Sequence, residues 1–230
     1  MAITDKLTEI ANAIRSKNGT TDTMTLDEMS NAIKNIQTGM ITSDNRLTTI
    51  SDFLFRNCTN LALTELPSGV TSIGSSAFEN CPNLALTELP SGITSIGTYA
   101  FFCCAKLALT ELPSGLTSIS SCAFSNCTNL ALTELPSGVT SIGSWAFGHC
   151  TSLALTELPS GVTSIGDSAF KGCTNIHSLT FKGTPNAIDA TAFQGCTNLT
   201  IINVPWAEGA VENAPWGATN ATINYNYVAV

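Results

Sequence analysis

The most conspicuous reactive side chains in this 230-residue chain are cysteines that recur at a step of 23 residues. Disulfides require pairs, and structural zinc sites favour Cys-x-x-Cys pairs, whereas this series is uniform and odd in number. We therefore expect small, buried, hydrophobic thiols, with no bound metal and no cofactor. Cys103 and Cys122 lie outside the series, and we expect them to be partly exposed. The series contains Cys58, Cys81, Cys104, Cys127, Cys150, Cys173 and Cys196.

A second series at the same step consists of glutamates. Two interpretations stay open for it: an acidic stripe that binds a cation or a basic partner, or a solvated face with no role of its own. The sequence favours the solvated face, because duplication of identical repeats copies every residue that they contain. The series contains Glu65, Glu88, Glu111, Glu134 and Glu157.

Aromatic side chains occupy positions that differ from one repeat to the next, and this variability indicates exposure. One such column reads Ser76, Tyr99, Cys122, Trp145 and Ser168. Neighbouring columns contribute Phe102, His149 and Lys171. Exposed aromatic residues on adjacent repeats would form a binding patch of the type enriched at interaction hot spots and on carbohydrate platforms. The alternative is neutral variation on a tolerant surface.

Signatures of catalysis are missing from the sequence. It contains no Gly-x-Ser-x-Gly, no phosphate-binding glycine loop and no His-Glu-x-x-His motif. The repeated Ser and Glu recur in every unit, whereas an active site is a unique constellation. We therefore expect a protein that is not an enzyme.

The composition excludes several classes of partner. The chain has 17 acidic and 9 basic residues, and its net charge is −8. Binding to nucleic acid or to an anionic membrane requires clustered basic residues, so neither is expected. No apolar run of about 18 residues is present, so we expect no membrane insertion. The first residues lack the basic segment and apolar core of a secretory signal, which favours a cytoplasmic or virion-associated protein.

The elements that position these side chains belong to an internal repeat. The string Leu-Ala-Leu-Thr-Glu-Leu-Pro-Ser-Gly occurs five times without change, and phenylalanines keep the 23-residue step beyond it. Within one unit, residues 84–89 and 93–96 read as extended, residues 89–92 as a type I turn and residues 99–104 as a single helical or 3₁₀ turn. Such a unit cannot bury its own apolar face, so the units must stack. We predict an α/β repeat solenoid, rich in β-structure, with seven repeats over residues 48–205.

The repeat resembles a known family through the pattern Leu-Pro-Ser-Gly-Val-Thr-Ser-Ile-Gly-x-x-Ala-Phe-x-x-Cys-x-Asn-Leu. This pattern is similar to the BspA-like (Treponema pallidum type) leucine-rich repeat. The resemblance implies a right-handed superhelix with a strand-lined concave face used for binding, in bacterial surface proteins and phage-related proteins.

One position departs from that family. An aliphatic residue is usual six positions after the cysteine, whereas five repeats have threonine there, preceded by leucine. Two possibilities stay open. Either the threonine packs inward, or the strand bulges and turns Leu86 and its equivalents into the core. The threonines are Thr64, Thr87, Thr110, Thr133 and Thr156.

The two ends of the chain differ from the repeats. Residues 1–39 have the helical spacing of a short hairpin, with a capping box at residues 25–28, and residues 40–47 read as a linker. Residues 206–230 are expected to cap the last repeat, with Trp206 and Trp216 packed inside rather than stacked on sugars. The hairpin and the C-terminal segment resemble parts of tail-associated proteins in phages and prophages of Firmicutes.

These patterns together predict a noncatalytic binding or adhesion module. The first hypothesis is a phage or prophage tail-associated protein that recognises a protein or glycan on a host surface. The alternative is a bacterial cell-surface or secreted leucine-rich-repeat adhesin that mediates protein–protein interaction. The sequence leaves the oligomeric state open.

Overall fold

The computed structural model describes residues 48–228, which form a stack of coils. The predicted helical hairpin (1–39) and linker (40–47) lie outside the described residues. We number the coils 1 to 7 by the phenylalanine that each contributes, from Phe55 in coil 1 to Phe193 in coil 7. Strand partners such as Ser72 and Ser95 are 23 residues apart, so that equivalent residues of successive coils lie side by side.

The strands of residues 48–228 are short and parallel. They form three sheets, with the orders β1-β2-β3, β4-β5-β7-β9 and β11-β10-β8-β6. No helix occurs in this part of the chain, and hence none that could cross a membrane. The eleven strands are β1 (Thr49–Ile50), β2 (Ser72–Ile73), β3 (Ser95–Ile96), β4 (Ser118–Ile119), β5 (Ser141–Ile142), β6 (Glu157–Leu158), β7 (Ser164–Ile165), β8 (Ser178–Phe181), β9 (Ala187–Ile188), β10 (Ile201–Asn203) and β11 (Thr222–Asn224).

The interior of the stack is built around one column of phenylalanine rings. Adjacent rings from Phe55 to Phe193 have centroids 5.2–5.6 Å apart and are inclined by 1–12°. Leucine, isoleucine and alanine side chains of the same coils complete a continuous buried cluster. The predicted line of Phe78, Phe101 and Phe124 through a dry interior is therefore confirmed.

The cysteine series lies beside the phenylalanine column, and all seven members are buried. From coil 2 onward each thiol donates a hydrogen bond to the phenylalanine carbonyl of the preceding coil, as from Cys104 to Phe78, at Sγ–O distances of 2.9–3.0 Å. Burial raises the pKa of these thiols, to about 12 for Cys196. The thiol is therefore protonated at neutral pH and available as a donor. Cys103 and Cys122 are partly exposed, as expected.

The structure decides which side chain of the threonine-containing segment faces the core. Leu84 and Leu86 are buried and Thr87 is exposed, and the other identical repeats follow the same pattern. Thr87 and Glu88 both point outward, so the alternation of a regular strand is lost and residues 84–89 form no strand. The second of the two open possibilities is therefore correct. Strand β8, whose residues alternate between outside and inside, pairs normally with β6 and β10.

The prediction of a helical or 3₁₀ turn for residues 99–104 is wrong. In this segment alternate backbone N–H groups point to the next coil: Phe101 donates to Ala123 at 2.8 Å, whereas Phe102 donates to Tyr99 three residues back at 3.1 Å. A helix would direct every N–H along its own chain. The hydrogen bonds between coils therefore replace the helix with a run of turns.

Close packing between the strand segments depends on glycine. A Cβ atom added to Gly97 would lie 2.5 Å from the backbone nitrogen of Ser75 and 2.7 Å from the carbonyl carbon of Gly74. The backbone N–H of Gly97 donates to Ile73, and that of Gly143 donates to Ile119. Coil 4 has Ser120 at this position, and its hydroxyl donates to the carbonyl of Ile96 instead, at 2.6 Å. The sheet is interrupted at this point, between β3 and β4.

The C-terminal segment closes the stack with aromatic side chains. Strand β11 pairs with β10, and Trp206 and Trp216 are both buried against Phe181 at centroid distances of 5.3 and 5.9 Å. The indole N–H of Trp216 donates to the carbonyl of Glu212 at 2.7 Å. Both tryptophans are therefore packing residues, as the sequence predicted.

Removal of one ring from the phenylalanine column is expected to be costly. Phe124→Ala should lower the free energy of unfolding by about 3–5 kcal/mol, because it leaves a cavity between the rings of Phe101 and Phe147. Urea denaturation measures this loss. Phe102→Ala, which removes a partly exposed ring from the same stretch of chain, is the control with the smaller expected loss. A Phe124→Ala loss below about 1 kcal/mol would contradict the buried column.

The glycine contact gives a matched pair of substitutions. Gly97→Ala should lower the free energy of unfolding by about 1–3 kcal/mol, because the new methyl group meets backbone atoms of coil 2 that cannot turn away. Gly92→Ala introduces the same methyl group 3.8 Å from its nearest neighbours and should be neutral or slightly stabilising. Equal losses for the two variants, measured by urea denaturation, would refute this packing argument.

Candidate functional site

Two columns on the surface formed by the turn segments have φ angles in the left-handed region, and one of them includes Cys103 and His149. The residues of the other column have φ angles of 51–59° in coils 1–6. This conformation costs on the order of 1–3 kcal/mol for a residue other than glycine and is a clear outlier for bulky side chains. We call the surface formed by residues 53–57, 76–80, 99–103, 122–126, 145–149 and 168–172 the turn face. The column contains Phe53, Ser76, Tyr99, Cys122, Trp145 and Ser168.

Aromatic residues occupy this column in every second coil. Phe53, Tyr99 and Trp145 belong to coils 1, 3 and 5, and smaller residues occupy coils 2, 4 and 6. Phe53 is 50% exposed and Tyr99 41% exposed, while Trp145 is partly buried. Two strand spacings separate successive members, which corresponds to roughly 9.6 Å. We call these three residues the aromatic ladder.

Trp145 has the most developed surroundings of the three. The His149 ring lies 5.8 Å from its ring centroid, the Lys171 ammonium lies 5.1 Å from it, and the indole N–H donates to Asp167 at 3.2 Å. A Cβ atom on Gly148 would lie 2.7 Å from the Trp145 ring, so this ring rests on a position that only glycine leaves open.

Asp167 holds this cluster together through hydrogen bonds. Its carboxylate accepts them from the hydroxyls of Thr191 at 2.6 Å and Ser168 at 3.0 Å, and from the Trp145 indole. These bonds, that of Thr191 first, together with the Lys171 charge, lower the pKa of Asp167. The carboxylate is therefore ionised at neutral pH, and its negative charge lies beside an aromatic ring and a cation.

The other two members of the ladder are flanked in a similar way. The Tyr99 and Phe102 rings are 5.5 Å apart and nearly perpendicular. The Arg56 guanidinium lies 5.7 Å from the Phe53 ring centroid and forms a 2.9 Å ion pair with Glu79. Charged groups that can form hydrogen bonds therefore lie between and beside the aromatic rings.

The patch predicted from sequence is thus divided into two groups. The structure brings Trp145 together with His149 and Lys171, and Tyr99 together with Phe102, while coil 4 with Cys122 separates the groups. Sequence analysis missed Phe53 and Arg56, although Phe53 stands one repeat before Ser76 in the same column. It also missed Asp167, whose column begins with Asp52 in coil 1 and holds Ser75, Thr98, Ser121 and Ser144 in the coils between.

The glutamate series lies on a different surface. Glu65, Glu88, Glu111 and Glu134 are exposed, and Glu157 forms a 2.9 Å ion pair with Lys182. The last three glutamates line a groove of about 580 Å³ together with leucine, proline and serine residues. Within residues 48–228 no group of three or more His, Cys, Asp or Glu side chains is placed to hold a metal ion.

The family of the chain follows from its repeats. The model of the BspA type leucine rich repeat region matches in six copies, over residues 27–154 and 96–213. The chain belongs to this family. The resemblance inferred from the repeat pattern is therefore confirmed, and the stacked coils described above are the family's repeats. No curated protein shows a significant match to the chain.

Solved structures extend this similarity. A leucine rich cell surface protein from Faecalibacterium prausnitzii is 34% identical, with a TM-score of 0.60 over 68% of this chain and 42% of that protein. The leucine rich repeat protein of T. pallidum is also 34% identical, with a TM-score of 0.51 over 62% of this chain and 68% of that one. The pneumococcal vaccine antigen PcpA, 18% identical with a TM-score of 0.58 over 81% of this chain and 45% of that antigen, shares the fold. The chain thus spans less than half of the F. prausnitzii protein.

The depressed pKa of Asp167 predicts a pH-dependent contribution to stability. Because the folded state favours the ionised carboxylate, this carboxylate stabilises the fold at pH values above the ordinary aspartate pKa. The stabilisation is lost as the pH falls through the pKa that Asp167 has in the folded protein. Asp167→Asn should therefore lower the free energy of unfolding at neutral pH, and the difference from the wild type should disappear in acid.

Urea denaturation across the pH range measures this difference, and Trp145 fluorescence should change over the same acid range. Trp145→Phe identifies which part of the fluorescence signal comes from this residue. A difference between wild type and Asp167→Asn that is independent of pH would contradict the assignment.

Proposed function

We propose that this chain is a noncatalytic recognition module of a bacterial cell-surface protein and that it binds its partner through the turn face. Two comparisons support the cellular location: the 34% identical protein from F. prausnitzii is described as a cell surface protein, and PcpA as a vaccine antigen. They agree better with the alternative derived from sequence than with a phage tail protein. The segment that most suggested a tail protein, residues 1–39, lies outside the described residues.

The observation that carries the proposal is the aromatic ladder with its charged neighbours. Exposed aromatic rings are unusual beside the small, polar and charged residues that the turn face otherwise carries, and such rings dominate the energy of many interfaces. The stack of coils keeps them in fixed positions, which lowers the entropy cost of binding. The left-handed backbone under Tyr99 and Trp145 costs stability, and recognition of a partner would explain why bulky residues stand there.

The glutamate groove is the weaker candidate for the binding surface. Its residues come from the identical strings, so every repeat supplies the same side chains, and Lys182 neutralises Glu157 at one end. The turn face, by contrast, differs from coil to coil and so presents a unique surface. We therefore place the binding surface on the turn face.

The proposal predicts that two substitutions abolish binding without unfolding the protein. The fluorescently labelled 230-residue chain should bind to bacterial or epithelial cells. Tyr99→Ala combined with Trp145→Ala should remove this binding while the melting temperature stays within a few degrees of the wild type. Flow cytometry measures binding, and circular dichroism measures melting.

A matched control removes two exposed apolar side chains from elsewhere. Ile201→Ala combined with Tyr227→Ala changes residues that are 41% and 39% exposed and lie outside the turn face. This control should bind like the wild type. Unchanged binding of the Tyr99 and Trp145 double variant would show that the turn face is not the binding surface.

A further inference from the structure

We infer that the aromatic ladder binds an extended polysaccharide of β-1,4-linked sugars, whose chain runs along the axis of the stack. This inference rests on the proposed function and names the class of partner for the same surface. It is carried by the alternation of aromatic and small residues in the left-handed column, a pattern that divides the turn face into evenly spaced platforms.

The spacing of the ladder matches a ligand with a two-unit repeat. In an extended β-1,4-linked chain successive sugars are rotated by about half a turn, so that equivalent faces recur once per disaccharide. A pyranose linked through its 1- and 4-positions advances by about one strand spacing, so a disaccharide spans roughly two coils, or about 9.6 Å. The ladder from Phe53 to Trp145 covers four coil spacings, about 19 Å, so that the first, third and fifth sugars of a bound chain lie over its three rings.

The groups beside the rings supply the polar half of such a site. The apolar face of a pyranose stacks on an aromatic ring, and its hydroxyls lie at the edge. Glu79 belongs to coil 2, between the coils of Phe53 and Tyr99, and its carboxylate forms an ion pair with Arg56. Asp167 and Lys171 flank Trp145. The exposed cation–π contacts of Arg56 and Lys171 are weak, so a sugar can take their place over the ring while the cations turn to its hydroxyls.

The same geometry disfavours a protein partner at this site. The centre of a protein interface is a continuous, well-packed apolar patch. Here Ser76 and Cys122 separate the rings, Ser76 is almost fully buried and Cys122 is partly exposed. The turn face therefore offers separate stacking platforms with polar edges, which suit a periodic chain of polar rings.

Binding of defined oligosaccharides tests the inference directly. Isothermal titration of the full chain with chitobiose, chitotetraose and chitohexaose, and with the cello-oligosaccharides of equal length, should show affinity that rises up to the hexamer, because of these lengths only the hexamer spans all three rings. Maltohexaose, whose α-linkages curve the chain, should bind at least about tenfold more weakly. The absence of binding to every β-1,4-linked hexamer would overturn the inference.

A shift of the platform by one coil tests the spacing itself. Tyr99→Ser combined with Cys122→Tyr keeps three aromatic residues but moves the middle one from coil 3 to coil 4. Loss of one stacking contact should weaken hexamer binding by about tenfold, while Tyr99→Trp should bind like the wild type. Both variants must keep the wild-type melting temperature. Hexamer binding that survives the shift would show that the two-coil period has no role.

Treatment of the target cells separates this inference from the proposed function. Cell binding through a β-1,4-linked glycan should survive protease treatment and be lost after digestion of the cells with glycosidases that cleave β-1,4 linkages, such as chitinase, lysozyme and cellulase. If protease removes the binding and the glycosidases do not, the partner is a protein: the inference fails while the proposed function stands. If the Tyr99 and Trp145 double variant binds treated and untreated cells like the wild type, the proposed function fails as well.

Discussion

The structure depends on the stacking of each coil on the next at a single, constant spacing. A 23-residue coil has no interior of its own, and its phenylalanine ring is buried because the rings and apolar side chains of neighbouring coils pack against it. The cysteine thiol reinforces this arrangement, since it donates to the phenylalanine carbonyl of the preceding coil. A larger side chain at the cysteine position would separate the coils, whereas serine would bring a more strongly polar hydroxyl into the apolar column. These two constraints account for the strict recurrence of both residues.

Much of the fold could be predicted from the sequence because the same pattern of buried residues recurs in seven repeats. The phenylalanine and cysteine columns, the buried leucines and the stacking direction follow from a single period. The inward-facing residue of the threonine-containing segment could not be predicted, because two outward residues in a row between Leu86 and Leu89 do not fit the alternation of a strand. The turn conformation was missed for a different reason. Hydrogen bonds between coils redirect alternate N–H groups, and no local pattern in residues 99–104 reveals partners 22 residues away.

The candidate site was only partly visible in the sequence. Variation between repeats singled out the column of Tyr99 and Trp145 as a candidate site, but the left-handed backbone beneath it is a property of the stack. The contacts around Trp145 depend on Gly148, which gives the indole room to lie against the coil, and on Asp167, which fixes its N–H. These residues have no distinguishing motif. Their importance appears only when neighbouring coils are placed at their observed spacing.

The interruption of the sheet at Ser120 bears on how the protein would respond to mechanical load. Between coils 3 and 4 the strand segments are joined by a serine hydroxyl instead of a backbone ladder, although the phenylalanine column and the turn segments continue across the gap. A pulling force on the ends of the stack would separate the coils most easily at this interruption. Coils 1–3 would then part from coils 4–7, with Tyr99 in the first block and Trp145 in the second. A ligand bound to both residues would therefore hold the two blocks together.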